Sequence, residues 1–172
     1  MHGLVGMPYL CSMAAPDSMV IEQMDELARC AEAVAMLAEH RDIEPVHVSK
    51  VKHDRQIRKV LDSIVRLYTR LMWTSYFSEA ASEDDARVHR DHIVPVRVLV
   101  DRMIMNPFET SDILGAIVLA RITPEEHKRL GGIWRDHEDV YAVMLRCPPD
   151  ELVDLGLKRY VRSGVEVRGV VF

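Results

Sequence analysis

The chain has 172 residues, of which 48% are hydrophobic and 28% charged, and a formal net charge of −5. Such a composition buries an ordinary globular core and excludes a disordered or fibrous chain, no apolar run reaches the length of a membrane span, and the negative total argues against a generally basic coat for nucleic acid. Cys11, Cys30 and Cys147 are scattered without a CxxC pair, so neither a disulfide framework nor a zinc knuckle is supported.

The charge is unevenly spread. Residues 1–49 carry two basic and eight acidic side chains, residues 50–102 eleven and eight, and residues 103–172 nine and eleven. A phosphate backbone, if one is held, belongs on the middle stretch; from charge alone, a solvated helix face is the simpler reading.

Met1 to Pro16 is mildly apolar but lacks the basic start of a signal peptide, so it reads as a leader or part of the fold, and the chain is expected to be cytoplasmic. Ser18 to Glu39 repeats apolar residues at the helical period, with Asp17 and Ser18 as suitable N-caps. A linker with Pro45 follows. Ser49 opens a second amphipathic helix predicted to reach about Ala80, its stripe running through Ile57, Val60, Leu61, Ile64, Leu67, Tyr68 and Leu71. These two helices are expected to form a hairpin, an N-terminal helical arm over 1–85. Ala81 to Asp85 reads as a loop, Val88 to Pro95 as an extended segment, and Val96 to Met105 as a helix ended by Asn106-Pro107. A short helix over Ser111 to Leu114 precedes a buried strand over Ala116 to Ile122. Thr123, Pro124 and Glu126 then make a capping box, for a helix running to Leu130 and stopping at Gly131-Gly132. Asp136 to Arg146 and Asp150 to Arg162 read as further helices, and Val165 to Val171 as a terminal strand. The expected class is α+β and mostly helical.

Two segments carry chemistry. His89-Arg90-Asp91-His92-Ile93-Val94-Pro95 sets an acid–imidazole doublet at the edge of an apolar stretch, and Thr123-Pro124-Glu125-Glu126-His127-Lys128 places an imidazole on a capped helix. Metal-assisted hydrolysis needs such parts: a carboxylate and an imidazole as ligands, and another imidazole to take a proton from water. His89 falls two residues before Asp91 and shares its face if the segment is a strand, which makes it a reserve ligand. Glu125 and Glu126 are first of all helix-start carboxylates, Glu126 the capping one. His137, among Asp136, Glu138 and Asp139, reads as an exposed helix start.

The stretch 88–130 resembles the HNH superfamily, whose small ββα-metal module binds one divalent ion. Asp91-His92-Ile93-Val94-Pro95 is close to the DHIVP form found at that family's first strand, and His127-Lys128 falls on its helix. The resemblance covers about a quarter of the chain, and would make 86–172 an HNH-like module with a C-terminal helical extension, forming one unit with the arm. It implies Asp91 and His127 as ligands of Mg²⁺, Mn²⁺ or Zn²⁺, His92 as the base that activates water, and Arg90, Lys128 and Arg129 as phosphate contacts. The implied function is metal-dependent hydrolysis of nucleic-acid phosphodiesters, DNA before RNA. Separately, the apolar stripes of the long amphipathic helices exceed what one small core covers, which points to a homodimer through them. The order of these segments, with Arg159-Tyr160 and Gly164-Val165 near the end, is also similar to short bacterial and phage proteins.

Two readings compete with this. The family's middle Asn has no counterpart, since Asn106 is the chain's single asparagine and precedes the strand, and Gly131 stands one turn beyond His127. A catalytically degenerate module acting as a protein-binding factor accommodates both departures. A plain helical interaction protein, without any site in 91–127, is the third reading.

Overall fold

Two long helices lead the computed structural model, which describes residues 18–39, 50–72, 74–81, 88–133 and 138–169. The expected leader, the Pro45 linker, the acidic loop past Ala81, Trp73 and His137 lie outside the described residues. Helix α1 (Ser18–Glu39) contains neither proline nor glycine and turns Ala31 and Ala35, both fully buried, toward α2 (Lys50–Arg70). Small alanines let the two backbones approach closely, and α2 answers with Ile57, Leu61, Ile64, Val65 and Tyr68 at helical spacing. Helices α3 (Val96–Met105) and α4 (Thr110–Gly115) extend the same core through Val98, Leu99, Met103, Ile113 and Leu114. Met144 of α6 (Glu138–Met144) and Leu152 of α7 (Leu152–Arg162) close it. The helices of the 1–85 stretch therefore share one core with the rest of the chain.

A small mixed sheet holds the other half. Strands β1 (Tyr76–Ser78), β2 (His89–His92), β3 (Leu119–Ile122) and β4 (Val167–Gly169) lie in the order β2-β3-β1-β4. β2 runs antiparallel to β3 with Asp91 opposite Ala120, β1 runs parallel to β3, and β4 runs antiparallel to β1. Helix α5 (Pro124–Ile133) follows β3 directly. Leu130 of α5 and Tyr160 of α7 join Ala120 and Ile122 of β3 in a second apolar cluster, so these two helices cover one face of the sheet. The class is α+β, mostly helical with a small four-stranded sheet.

Several boundaries differ from expectation. The second helix ends at Arg70, not near Ala80, and Tyr76–Ser78 is a strand. Two causes are visible: the Arg90 guanidinium donates to the carbonyls of Thr69 (3.3 Å) and Met72 (2.7 Å), completing the helix end, and Tyr76 and Phe77 pair with both β3 and β4. Helix α5 passes through Gly131-Gly132 to Ile133; a glycine weakens a helix but does not oblige it to stop. The buried strand before it is confined to Leu119–Ile122, because the Ala116 and Ile117 amides donate turn hydrogen bonds to the carbonyls of Asp112, Ile113 and Leu114.

Gly156 fixes how closely α7 meets the Asp-His segment. A β-carbon there would lie 2.6 Å from the Ile93 carbonyl oxygen, which is backbone and has nowhere to go. Gly156→Ala is therefore expected to destabilise the protein by about 1–3 kcal/mol, read as a lower urea midpoint; an unchanged midpoint would refute this close approach.

Candidate functional site

Alternation along β2 sorts its four side chains between two layers. Asp91 points to the face covered by α5 and α7, where its Oδ1 lies 3.3 Å from His127 Nδ1. Its Oδ2 accepts hydrogen bonds from Tyr160 Oη (2.5 Å) and from the Arg159 guanidinium, which also donates to the His92 carbonyl at 2.8 Å. Asp91 is 12% exposed and Arg159 6%, so this is a shielded ion pair with a hydroxyl in support. Burial, then the charge of Asp91, push the Tyr160 hydroxyl above its ordinary range, so it stays a donor.

His127 reaches Asp91 because α5 is pinned at its first turn. Glu126 is buried, and its Oε2 accepts from the Thr123 amide (2.8 Å), the Thr123 hydroxyl (3.1 Å) and the Ser78 hydroxyl of β1 (2.6 Å). The Glu126 amide returns a bond to Thr123 Oγ1 at 3.3 Å, completing the capping box. Its side chain is thus engaged in structure. The His127 side chain stays 52% exposed. His89, on the same face as Asp91, stacks its ring on that of His127, with centroids 5.0 Å apart and planes inclined by 21°.

His92 faces the opposite layer. Its Nε2 lies 2.8 Å from Thr69 Oγ1 on α2. The Thr69 hydroxyl has one hydrogen and gives it to the Val65 carbonyl at 2.7 Å, so Nε2 must be the donor to Thr69. Neutral His92 then carries its lone pair on Nδ1. Burial is the main cause that lowers its pKa; Asp91 opposes it, and the guanidiniums of Arg66, Arg159 and Arg90 add to the lowering.

The structure thus brings together Asp91, His127 and His89, and sets His92 on the other side of β2. Arg90 is the brace at the end of α2. Lys128 and Arg129 are exposed on α5, Arg129 reaching the Gly164 carbonyl at 3.4 Å. Sequence reasoning gave no role to Arg159, Tyr160 and Thr69. For Arg159 a signal exists: an arginine on the stripe that also holds Leu152, Gly156 and Tyr160 is a charge on a buried face, and such a charge needs a partner.

A divalent cation can be tested against these donors. Among the described residues no group of three or more His, Cys, Asp or Glu side chains is arranged to hold a metal ion. The pair Asp91 Oδ1 and His127 Nδ1 matches in chemistry and spacing, since two donors each about 2.0–2.2 Å from one ion lie roughly 3.0–3.5 Å apart. Water would have to complete such a shell, as Mg²⁺ in particular tolerates.

Two outcomes follow for stability. Arg159→Ala strands a buried carboxylate and should cost about 3–5 kcal/mol, part of it recovered by adding Asp91→Asn; no recovery in urea titrations would show that Arg159 acts by packing alone. His92 gives a pH dependence, measured in EDTA. Unfolded His92 takes a proton near its ordinary 6.5, while the folded ring resists until lower pH. Stability is therefore full above that value and falls as pH drops toward the folded pKa, by at most about 1.4 kcal/mol per pH unit. His92→Gln should flatten that limb, and an identical limb in both proteins would show that His92 is not its source.

The chain matches no protein-family model, no curated protein and no solved structure.

Proposed function

We propose that this protein hydrolyses nucleic-acid phosphodiester bonds with the help of a divalent cation held by Asp91 and His127. The observation that carries the reading is the approach of these two donors, 3.3 Å apart, across an antiparallel β2–β3 pair followed at once by α5. That is a ββα arrangement with the α3–α4 region inserted between its strands. When bound, the cation would supply charge to offset the developing negative charge on the phosphate and leaving oxygen.

The protein's own groups supply the rest. His92, expected as the base, is turned toward α2 with its Nε2–H fixed on Thr69, so the imidazole that could take a proton from a water at the Asp91–His127 pair is His89, which shares their face of β2. Arg159 orients the doublet by binding the Asp91 carboxylate and the His92 carbonyl together. Lys128 and Arg129, exposed beside His127, are positioned for a neighbouring phosphate.

One observation favours a second reading. Arg159 and Tyr160 already occupy Asp91 Oδ2, and a guanidinium on a carboxylate weakens its pull on a metal ion. In that case the module is a metal-free scaffold of a protein-binding factor. Plasmid cleavage with Mg²⁺, Mn²⁺ and Zn²⁺ separates the two. Cleavage should depend on added metal, fall about 10²–10⁴-fold in His89→Ala, and be lost in Asp91→Asn together with metal binding measured by calorimetry. Wild-type protein that neither binds metal nor cuts would reject the hydrolase and leave the scaffold.

A further inference from the structure

Along the outer side of α2 and α3 runs an open groove of about 780 Å³, away from the Asp91–His127 pair. Its walls carry Arg55, Arg58, Lys59 and Arg66 from α2 and Arg97 from α3, over a floor of Val96 and Val100. Two carboxylates meet these five cations, and both are engaged. Asp62 pairs with Arg66 at 2.7 Å. Asp101, 11% exposed beneath the wall, takes Arg58, the Tyr141 hydroxyl and, at 3.8 Å, Arg97. Arg55 and Lys59 are exposed and have no acidic partner among the described residues. In a chain of net charge −5, a concentrated positive groove is a local feature rather than a general one.

We propose that this groove binds the phosphate backbone of a nucleic acid and leads it along α2 toward β2. Repetition is the first argument. The cations from Arg55 to Arg66 are spread over about 16 Å of helix at 1.5 Å per residue, long enough to meet more than one phosphate of a strand. Residue type is the second: four of the five are arginines, whose planar fork suits phosphate oxygens. The floor is the third. Two valines offer shallow apolar contact and no aromatic or deep pocket, so an acidic peptide would find charge there but no anchor. Direction is the fourth. Arg66 lies one helical turn before Thr69, whose hydroxyl holds His92 Nε2 at 2.8 Å. The groove therefore ends on the His92 side of β2, the layer opposite the Asp91–His127 pair. The proposal rests on the nuclease reading only for the class of target, because its contacts are its own.

Binding is tested by fluorescence anisotropy on the full chain, with a labelled DNA duplex of random sequence and EDTA present, over roughly 50–200 mM salt. The expected plot of log affinity against log salt has a slope of about −3, for about three neutralised phosphates. The double variant Arg55→Gln/Lys59→Gln should weaken binding by at least about tenfold at low salt and shrink the slope by about two. Lys158→Gln/Arg162→Gln, which removes the same charge from exposed positions on α7, should leave both nearly unchanged. Equal losses in the two variants, an absence of binding by folded wild-type protein at low salt, or polyglutamate binding as tightly as DNA would each overturn the proposal. DNA binding through the groove without metal-dependent cleavage would reject the hydrolase and keep the groove; cleavage indifferent to Arg55 and Lys59 would do the reverse.

Discussion

The Asp91 carboxylate ties three separated parts of the chain together. It sits on β2, meets His127 on α5, and accepts from Arg159 and Tyr160 on α7. A carboxylate shielded to this degree must be compensated, because losing its hydration costs several kcal/mol. Arg159 and Tyr160 provide that compensation from a helix that can approach only because Gly156 lets it close on Ile93. The same carboxylate is the group a cation would use. In the proposed hydrolase, stability and metal binding would draw on different oxygens of one residue: Oδ2 is committed to α7, and Oδ1 faces the more open side with His127.

Strand alternation extends this constraint to the opposite layer. The residues flanking Asp91, Arg90 and His92, turn toward α2 and bind its last turn, through the Thr69 and Met72 carbonyls and the Thr69 hydroxyl. Four residues of β2 thus join the helical core on one side to the α5–α7 layer on the other. The electrostatics of His92 follow from that position. It is half-buried, feels the charge of three guanidiniums, and is fixed as one neutral tautomer by a hydroxyl that has already given its only hydrogen away.

Charge is organised on a larger scale by the same helix. The α2 sequence places its apolar residues on one stripe and most of its cations off it, so packing the stripe against α1 and α3 gathers the cations along the groove. A net negative chain can hence present a positive track without any change in its overall composition.

Much of the architecture was legible in the residues, because local chemistry decides it. Helix α1 and helix α3 follow from periodicity and the flanking prolines, and the Thr123–Glu126 capping box from four consecutive positions. Placing His89 and Asp91 on one face needed only the two-residue period of a strand. Pairing across long distances in the chain was not legible. Tyr76–Ser78 continues the apolar pattern of a helix, yet becomes a strand because β3 and β4 offer it partners more than 40 and about 90 residues away. Thr69, Arg159 and Tyr160 enter the site for the same reason: each has its meaning only beside β2, and residue types alone do not say which helix end or helix face will arrive there. The sequence by itself determined the class, most helices and the candidate donors, since these depend on propensity and period. Which donors converge, which are tied down, and that His92 and Asp91 face different layers were decided by tertiary packing, where burial obliges every charge to find its partner.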